Sequence, residues 1–579
     1  MGRAPSSVRS RRPSSSTRRC ARSCFSSSNC ASLRPFIPRI VSRIMRMLIL
    51  VLLASGILAA QKQYKRVHQY ALRRIINGNA KRVEKDLRAH AAEHPADPET
   101  WFMLACAASA AGRKAEGTAY LERAHDLGLP AGRFLAGPRK LLALYDDTTL
   151  IRRLHTEFRH RPVHGPLVGA VSIADARIWL RTSGERNVAA VCTTAASATP
   201  ITAKGRTSAR DDFTSVLHLR GLRPSTTYSG RLVIDGQTVS GDEGAFRFTT
   251  PPPRGPHDPV RLGFGGGAGY VPQHERMWST IQGGRFDLLL LLGDNIYIDH
   301  PKRPIVQRYT YHRRQSRPEW RALTRAIPTF TIWDDHDFGT NDCWVGPDLD
   351  QPAWKVPVFN VFRQNWANPG YGDVPPRPGL PFALTLPTKT RPGCWYTFAW
   401  GAIDFFMLDG RMYREKPNEE STTSMLGPRQ KAWLFNALAA STATFKVICS
   451  PVPFEYRTKG NSKDTWNGFR AERTEVFDFL TKRKIEGVVL LSADRHRSDA
   501  WVIARPGDYA LHEFNSSRLT NQHVHQTKKD AIFSYNAKQS FGSVTLDPRP
   551  GNPTVVYDVI DIDGVRQHRL VLPGSKLKR

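Results

Sequence analysis

Hydrophobic and polar positions follow three different rhythms along the chain. From residue 64 to about 145, apolar residues recur at helical spacing through "NAKRVEKDLRAHAAEHP" and "DPETWFMLACAASAAGRKAEGTAYLERAHDLGLP", with Pro95, Pro98 and Pro130 as punctuation. From about 162, short runs such as "GPLVGAVSIADARIWLRT" and "GAFRFTTPPP" alternate apolar with polar residues between turn signals, which predicts the half-buried strands of a β-sandwich. From Asp258 onward, uninterrupted apolar runs alternate with longer helical or irregular stretches. The clearest is "FDLLLLLGDNIYID", where Leu288 to Leu292 are broken by Gly293 and followed at once by Asp294, Asn295, Tyr297 and Asp299. So apolar a run predicts a strand covered on both faces. The carboxylate, amide and phenol behind it predict an exit loop that holds those groups rigidly.

Other runs end in the same way: "RLGFGG" leads into "GAGY", "PTFTIWDD" into "HDFGTND", and "EGVVLLSAD" into "RHRSD". Buried strands with polar carboxyl ends predict an α/β layered enzyme, because ligands bind where strands hand over to loops. Sorted by chemistry, the exit groups are the Asp294 cluster; Asp334, Asp335, His336, Asp337, Asn341 and Asp342; Asp409 and Arg411 in "LDGRMYR"; and Asp494 with His496. Carboxylates gathered at this density repel one another unless cations sit among them. An oxygen-rich set with a few imidazoles favours hard divalent or trivalent ions over a thiolate zinc site. A binuclear centre bridged by one aspartate clamps a phosphoryl group and lowers the pKa of an attacking water. Nearby arginines offer planar forks that match phosphate oxygens.

Composition changes this picture in three places. At 579 residues and 40% hydrophobic, the chain has material for several domains. The formal charge of +33 is uneven: residues 1 to 46 carry eleven arginines and no acidic residue, so a third of the excess lies in a Ser/Pro-rich leader that cannot build a core. The rest is diffuse and suits an anionic substrate or surface. Clustered Lys/Arg with aromatics is absent, which argues against nucleic acid as the main partner. From Met45, "MRMLILVLLASGILAAQ" places a basic residue before a short apolar run. It reads as a secretory signal, with translation starting at Met45 or Met47, or as a short membrane anchor through residues 47–60; a full span needs about 20 residues. Eight cysteines without a C-x-x-C pair exclude a zinc finger and a disulfide-dense scaffold.

Taken in order, "GDNIYID", "WDDHDFGTND", "LDGRMYR" and "LLSADRH", preceded by the sandwich-like texture around Leu222, Pro224, Thr226 and Tyr228, resemble the PhoD-type alkaline phosphatases of the calcineurin-like metallophosphatase superfamily. "GPRQKAWL", "DTWNGF", "NSSRLT" and "SFG" add to the likeness, which covers roughly residues 162 to 570. The fold expected is a multi-domain chain. It has a basic disordered leader (1–44), a signal peptide or short anchor (45–61), and a small helical module (64–145) similar to one tetratricopeptide repeat. A fibronectin III-like β-sandwich (162–250) and an α/β metallophosphatase sandwich core (258–570) follow.

The resemblance implies that Asp294 bridges two metals and that Tyr297 binds iron as tyrosinate. It makes Asp335 a metal ligand within the catalytic set and His336 a leaving-group proton donor or phosphate contact. Asn341 becomes a ligand of a second metal or calcium, Arg411 a phosphate binder, and Asp494 and His496 the last metal-binding pair. It implies iron(III) and calcium as cofactors. The activity implied is an exported, periplasmic or extracellular phosphoesterase that uses metal-activated hydroxide on small phosphate monoesters or diesters. One departure stands out. Gly267 occupies the place of the family's iron-binding cysteine, so water, Tyr270 or another residue completes the site, or the copy is impaired. The rival expectation is a catalytically impaired envelope protein that binds a phosphate or phospholipid headgroup or a protein partner, the helical module serving for packing or peptide binding.

Overall fold

The computed structural model describes residue 64, residues 66–373 and residues 391–579. The basic leader, the apolar run at 45–61 and residues 374–390 lie outside the described residues. Among the described residues no helix is long and apolar enough to cross a membrane.

The chain enters through a helix over residues 66–76, followed by helices Ala80–Glu93, Pro98–Ala110 and Lys114–Asp126. Asp97 caps the third of these. Its carboxylate accepts the Glu99 N–H at 3.1 Å, and Pro98 sits at the first helical position, where a missing donor costs nothing. Phe102, Met103, Leu104, Leu121 and Tyr145 form the interior of this layer. Helical structure continues past the expected limit at 145 to Thr149–Glu157, because Leu150, Ile151 and Leu154 extend the apolar stripe. The layer is keyed to the rest of the protein by Glu99, which pairs with Arg133 and accepts the Tyr309 hydroxyl at 2.6 Å.

Between His164 and Thr249 lie two antiparallel sheets. One joins His164–Gly169, Asp175–Arg181 and Thr214–Arg220; the other is built on Arg186–Thr194 and Thr227–Ile234. The Tyr228 hydroxyl accepts the Arg223 N–H at 2.8 Å and closes the turn between them. The fibronectin-like and tetratricopeptide-like assignments remain readings of the sequence texture.

The C-terminal portion is a pair of mixed sheets. In the six-stranded sheet Val260–Gly265, Leu288–Leu292 and Thr329–Ile332 run parallel. In the seven-stranded sheet Ile403–Met407, Phe445–Ser450, Val488–Ser492 and Leu511–Ser516 run parallel. Every residue of Leu288–Leu292, Thr329–Ile332 and Val488–Ser492 is buried, as strands covered on both faces require. Stacked rings join the two sheets: the Phe330 ring centroid lies 3.9 Å from that of Phe398, and that of Phe514 lies 4.4 Å from that of Tyr557.

Candidate metal centre

The exit loops of these parallel strands touch one another, and that contact dictates their backbone. A Cβ on Gly293 would sit 2.6 Å from the Asp334 Cβ, so the loop after Leu292 passes its neighbour only with glycine there, at φ +104°. The next residue, Asp294, takes φ 53°, and Asp494, at the matching exit of the other sheet, takes φ 64°. Left-handed aspartates cost backbone energy and concentrate at functional sites.

Asp294 is buried, accepts the Tyr297 hydroxyl at 2.8 Å and lies 3.4 Å from the His336 N–H. The Tyr297 oxygen also accepts the Asn521 side-chain amide at 2.6 Å, and its ring centroid lies 4.3 Å from that of His336. Nδ1 of His336 is 2.6 Å from Asp299, which in turn takes Arg66 at 2.6 Å and Gln69 at 3.1 Å from the helical layer. Asp335 belongs to two groups of donor atoms, each lying within 4.8 Å of one another: Asp294, Asp335 and His336, and Asp335, Asp342 and Asp464. Asp335 also accepts the Asp342 N–H at 2.5 Å.

Asp342, in a left-handed turn at φ 54°, therefore joins this set, and both it and its neighbour Asn341, the expected ligand, are exposed. Arg411 also differs from its expected setting. Its guanidinium is fully buried and bonded to Asp334 at 2.5 Å and, within the second donor group, to Asp464 at 2.8 and 3.2 Å. A second cation at the cluster is Lys459, whose Nζ lies 3.0 Å from Asp464, 3.2 Å from Asp342 and 3.5 Å from Asp494. Asp464, Lys459 and Asn521 join the site beyond the residues expected from the sequence, and Asp299, expected only as part of the Asp294 cluster, holds His336. Asp464 lies in "DTWNGF" and was within reach of sequence reasoning; Lys459 and the helical partners of Asp299 carry no local signal.

Electrostatics show what the set lacks. Burial pushes the Asp294 carboxyl well above the usual range; His336 opposes this, while Asp335, Asp334 and Asp337 add to it. Burial likewise raises Asp334, against the pull of Arg411, and raises Asp337 to about 7. Asp335 is held low, because His336 and Arg411 outweigh its burial. Burial lowers His336, yet Asp335, Asp294 and Asp299 lift it to about 9. Oδ2 of Asp334 is buried with no hydrogen-bond partner. Surplus buried carboxylate, one phenol and one imidazole are a donor set that fits hard multivalent cations.

The place of the missing cysteine is closed as well as empty of a side chain. Gly267 has φ +66°, and a Cβ there would meet Ser517 Oγ at 2.6 Å, the Arg518 backbone N at 2.8 Å and His496 Nδ1 at 3.2 Å. Tyr270 is turned aside under Arg313, whose guanidinium carbon lies 4.3 Å from its ring centroid. His496 packs instead among imidazoles, its ring centroid 5.0 Å from His523 and 5.1 Å from His525. The Gly267 loop is fixed to the Asp294 loop by the Ala268 N–H, which donates to the Asp294 carbonyl at 2.7 Å.

Comparisons with known proteins bear on the same residues. Residues 262–552 match the PhoD-like phosphatase family, and residues 160–252 match a domain of unknown function, DUF7800. Alkaline phosphatase D of Bacillus subtilis (strain 168) is 26% identical over 337 residues, which are 52% of this chain and 56% of that protein. The chain thus spans little more than half the length of the curated relative it matches. A solved structure of PhoD superposes with a TM-score of 0.57 at 17% identity, over 70% of this chain and 88% of that one. Purple acid phosphatase PPD1 from yellow lupin superposes with a TM-score of 0.50 at 12% identity, over 71% of this chain and 75% of that one. At such identities the two superpositions show the fold alone.

Proposed function

Because this chain belongs to the PhoD-like phosphatase family, we propose that it hydrolyses phosphoric esters at the strand-exit centre formed by Asp294, Tyr297, Asp335, His336, Asp342, Asp464 and Asp494. The observation that carries this reading is Asp335, a single buried carboxylate shared by two donor triads. Cations held by those triads supply Lewis acidity toward a phosphoryl oxygen and lower the pKa of a bound water.

The side chains do the rest. Asp335 sets the spacing of the two triads, a different assignment of the shared ligand from the sequence expectation for Asp294. Asp299 holds His336 through Nδ1, and the protonated imidazole then serves as donor to the departing alkoxide through Nε2 instead of as a cation ligand, leaving the carboxylates of Asp294 and Asp335 to hold that cation. Arg411 braces Asp334 and Asp464 and acts as a positioning residue. Lys459 attracts phosphate oxygens. The phenol of Tyr297 suits iron(III), and the all-carboxylate triad of Asp335, Asp342 and Asp464 suits calcium. The substrate class is a small phosphate monoester or diester. Export, or anchoring through residues 47–60, is supported by the basic residue and apolar run that begin at Met45.

The test is hydrolysis of p-nitrophenyl phosphate and bis-p-nitrophenyl phosphate by chelator-stripped protein, before and after iron and calcium are restored. Turnover is expected to return with the metals and to fall more than about 100-fold in Asp335→Asn, a larger loss than disturbing a ligand's outer partners causes. Full turnover in the stripped protein or in Asp335→Asn overturns the reading. Iron-loaded protein is expected to be coloured by tyrosinate charge transfer and to lose that colour in Tyr297→Phe; colourless iron-loaded protein removes the iron assignment.

A further inference from the structure

A second set of metal-type donors lies in the helical layer, outside the span matched to the phosphatase family. His68, on the helix over residues 66–76, His90, in the last turn of Ala80–Glu93, and Asp97, the cap of Pro98–Ala110, bring one ligand atom each within 4.8 Å of one another. Oδ2 of Asp97 is 3.3 Å from His68 Nε2 and 4.0 Å from His90 Nδ1. The Thr100 hydroxyl stands 2.9 Å from each of those nitrogens and 2.8 Å from the same carboxylate oxygen. Four donor atoms on three successive helices thus cluster together, with five of their six separations between 2.8 and 4.0 Å and the two imidazole nitrogens within 4.8 Å of each other. Bonds of about 2.0–2.1 Å to a tetrahedral cation require edges of roughly 3.3 Å.

The surroundings favour a ligand. The His94 ring centroid lies 4.6 Å from that of His90, and the Tyr64 hydroxyl donates to the other Asp97 oxygen at 3.1 Å. His68 is fully buried, and the side chains of His90 and Asp97 are 16% and 9% exposed.

We propose that His68, His90 and Asp97 form a structural site for a borderline divalent cation of the zinc type, with Thr100 or water as the fourth donor. Two imidazoles and a carboxylate are the donor set that distinguishes it from the carboxylate-rich centre at the strand exits. Bound there, the cation ties together the three helices that begin the described chain. The first of these also carries Arg66 and Gln69 to Asp299. The proposal does not depend on the phosphoesterase reading.

The experiment uses the full chain with Asp294→Asn and Asp335→Asn, which disables the other centre, stripped with chelator and titrated with cobalt(II) as the spectroscopic stand-in for zinc. The expected result is about one cobalt per chain, with visible bands of tetrahedral intensity, displaced by one equivalent of zinc. Adding His90→Ala, or separately the near-isosteric Asp97→Asn, is expected to bring the stoichiometry close to zero while the far-ultraviolet circular dichroism measured in chelator is unchanged. If His90→Ala does not fold, Asp97→Asn decides. No cobalt bound by the parent double variant overturns the proposal, as does undiminished tetrahedral binding after either added substitution.

Discussion

Asp212 and Asp294 are alike in backbone and burial and opposite in electrostatic setting. Both are left-handed, at φ 57° and 53°, and both are almost completely buried. Asp212 stands just before the strand Thr214–Arg220. It takes Arg181 at 2.9 Å and His312 at 3.0 Å, pairs with Arg139, and burial notwithstanding is held far below the ordinary carboxylate range by Arg181 and His312. Asp294 has a phenol and a backbone N–H as hydrogen-bond donors, other aspartates around it, and a carboxyl pushed far above that range by burial first. Asp212 is neutralised by the chain's own cations, whereas Asp294 has no Arg or Lys hydrogen-bond or ion-pair partner among the described residues.

The contrast can be broken in stability first. Asp212→Ala leaves Arg181 buried without its counter-ion, and the expected loss is about 3–5 kcal/mol, read by calorimetry, with turnover per folded molecule retained. Asp294→Asn, measured in chelator, is expected to keep or raise the thermal midpoint, since it removes a carboxyl whose ionisation the fold opposes. Equal destabilisation by the two substitutions would erase the distinction.

The two nodes should also differ in the sign of their pH dependence. In metal-stripped protein the raised carboxyl of Asp337 contributes stability that is complete below about pH 4 and is lost as the pH rises through about 7. The depressed carboxyl of Asp212 does the reverse: its contribution is present above about pH 4 and is lost as the pH falls below that. Asp337→Asn is therefore expected to flatten the fall in thermal midpoint between pH 4 and 7; an unchanged slope contradicts the assignment. The smallest effect concerns the vacant ligand place. Gly267→Cys forces a side chain onto Ser517 and Arg518 at positive φ, and about 1–3 kcal/mol of stability is expected to be lost without any gain in iron bound. Extra iron held by a stable variant would show that the loop yields.

Much of the framework can be read along the chain, and the limits have physical causes. Leu288 to Leu292 announce their strand because burial on both faces leaves no polar position, and Gly293 is explained by the approach of Asp334. Asp294, Tyr297, Asp335 and His336 come from exits of adjacent parallel strands, so local motifs bring them together in space. Asp464 enters from a long excursion after Phe445–Ser450, where no acidic residue marks the strand's end. Asp342 sits in the cluster through a left-handed turn, which no periodicity encodes. For Arg411 the residue type suggested phosphate, but the partners that surround it come from two distant loops.

The contact of Arg66 and Gln69 with Asp299 has a consequence for how the protein can be divided. The segment matched to the phosphatase family begins at residue 262, yet the aspartate that steadies His336 takes two of its hydrogen bonds from side chains that lie 233 and 230 positions before it. A protein cut at that sequence boundary would expose Asp299 to solvent and release the imidazole it steadies. The unit of inheritance and the unit of mechanical integrity are therefore different lengths of the same polypeptide.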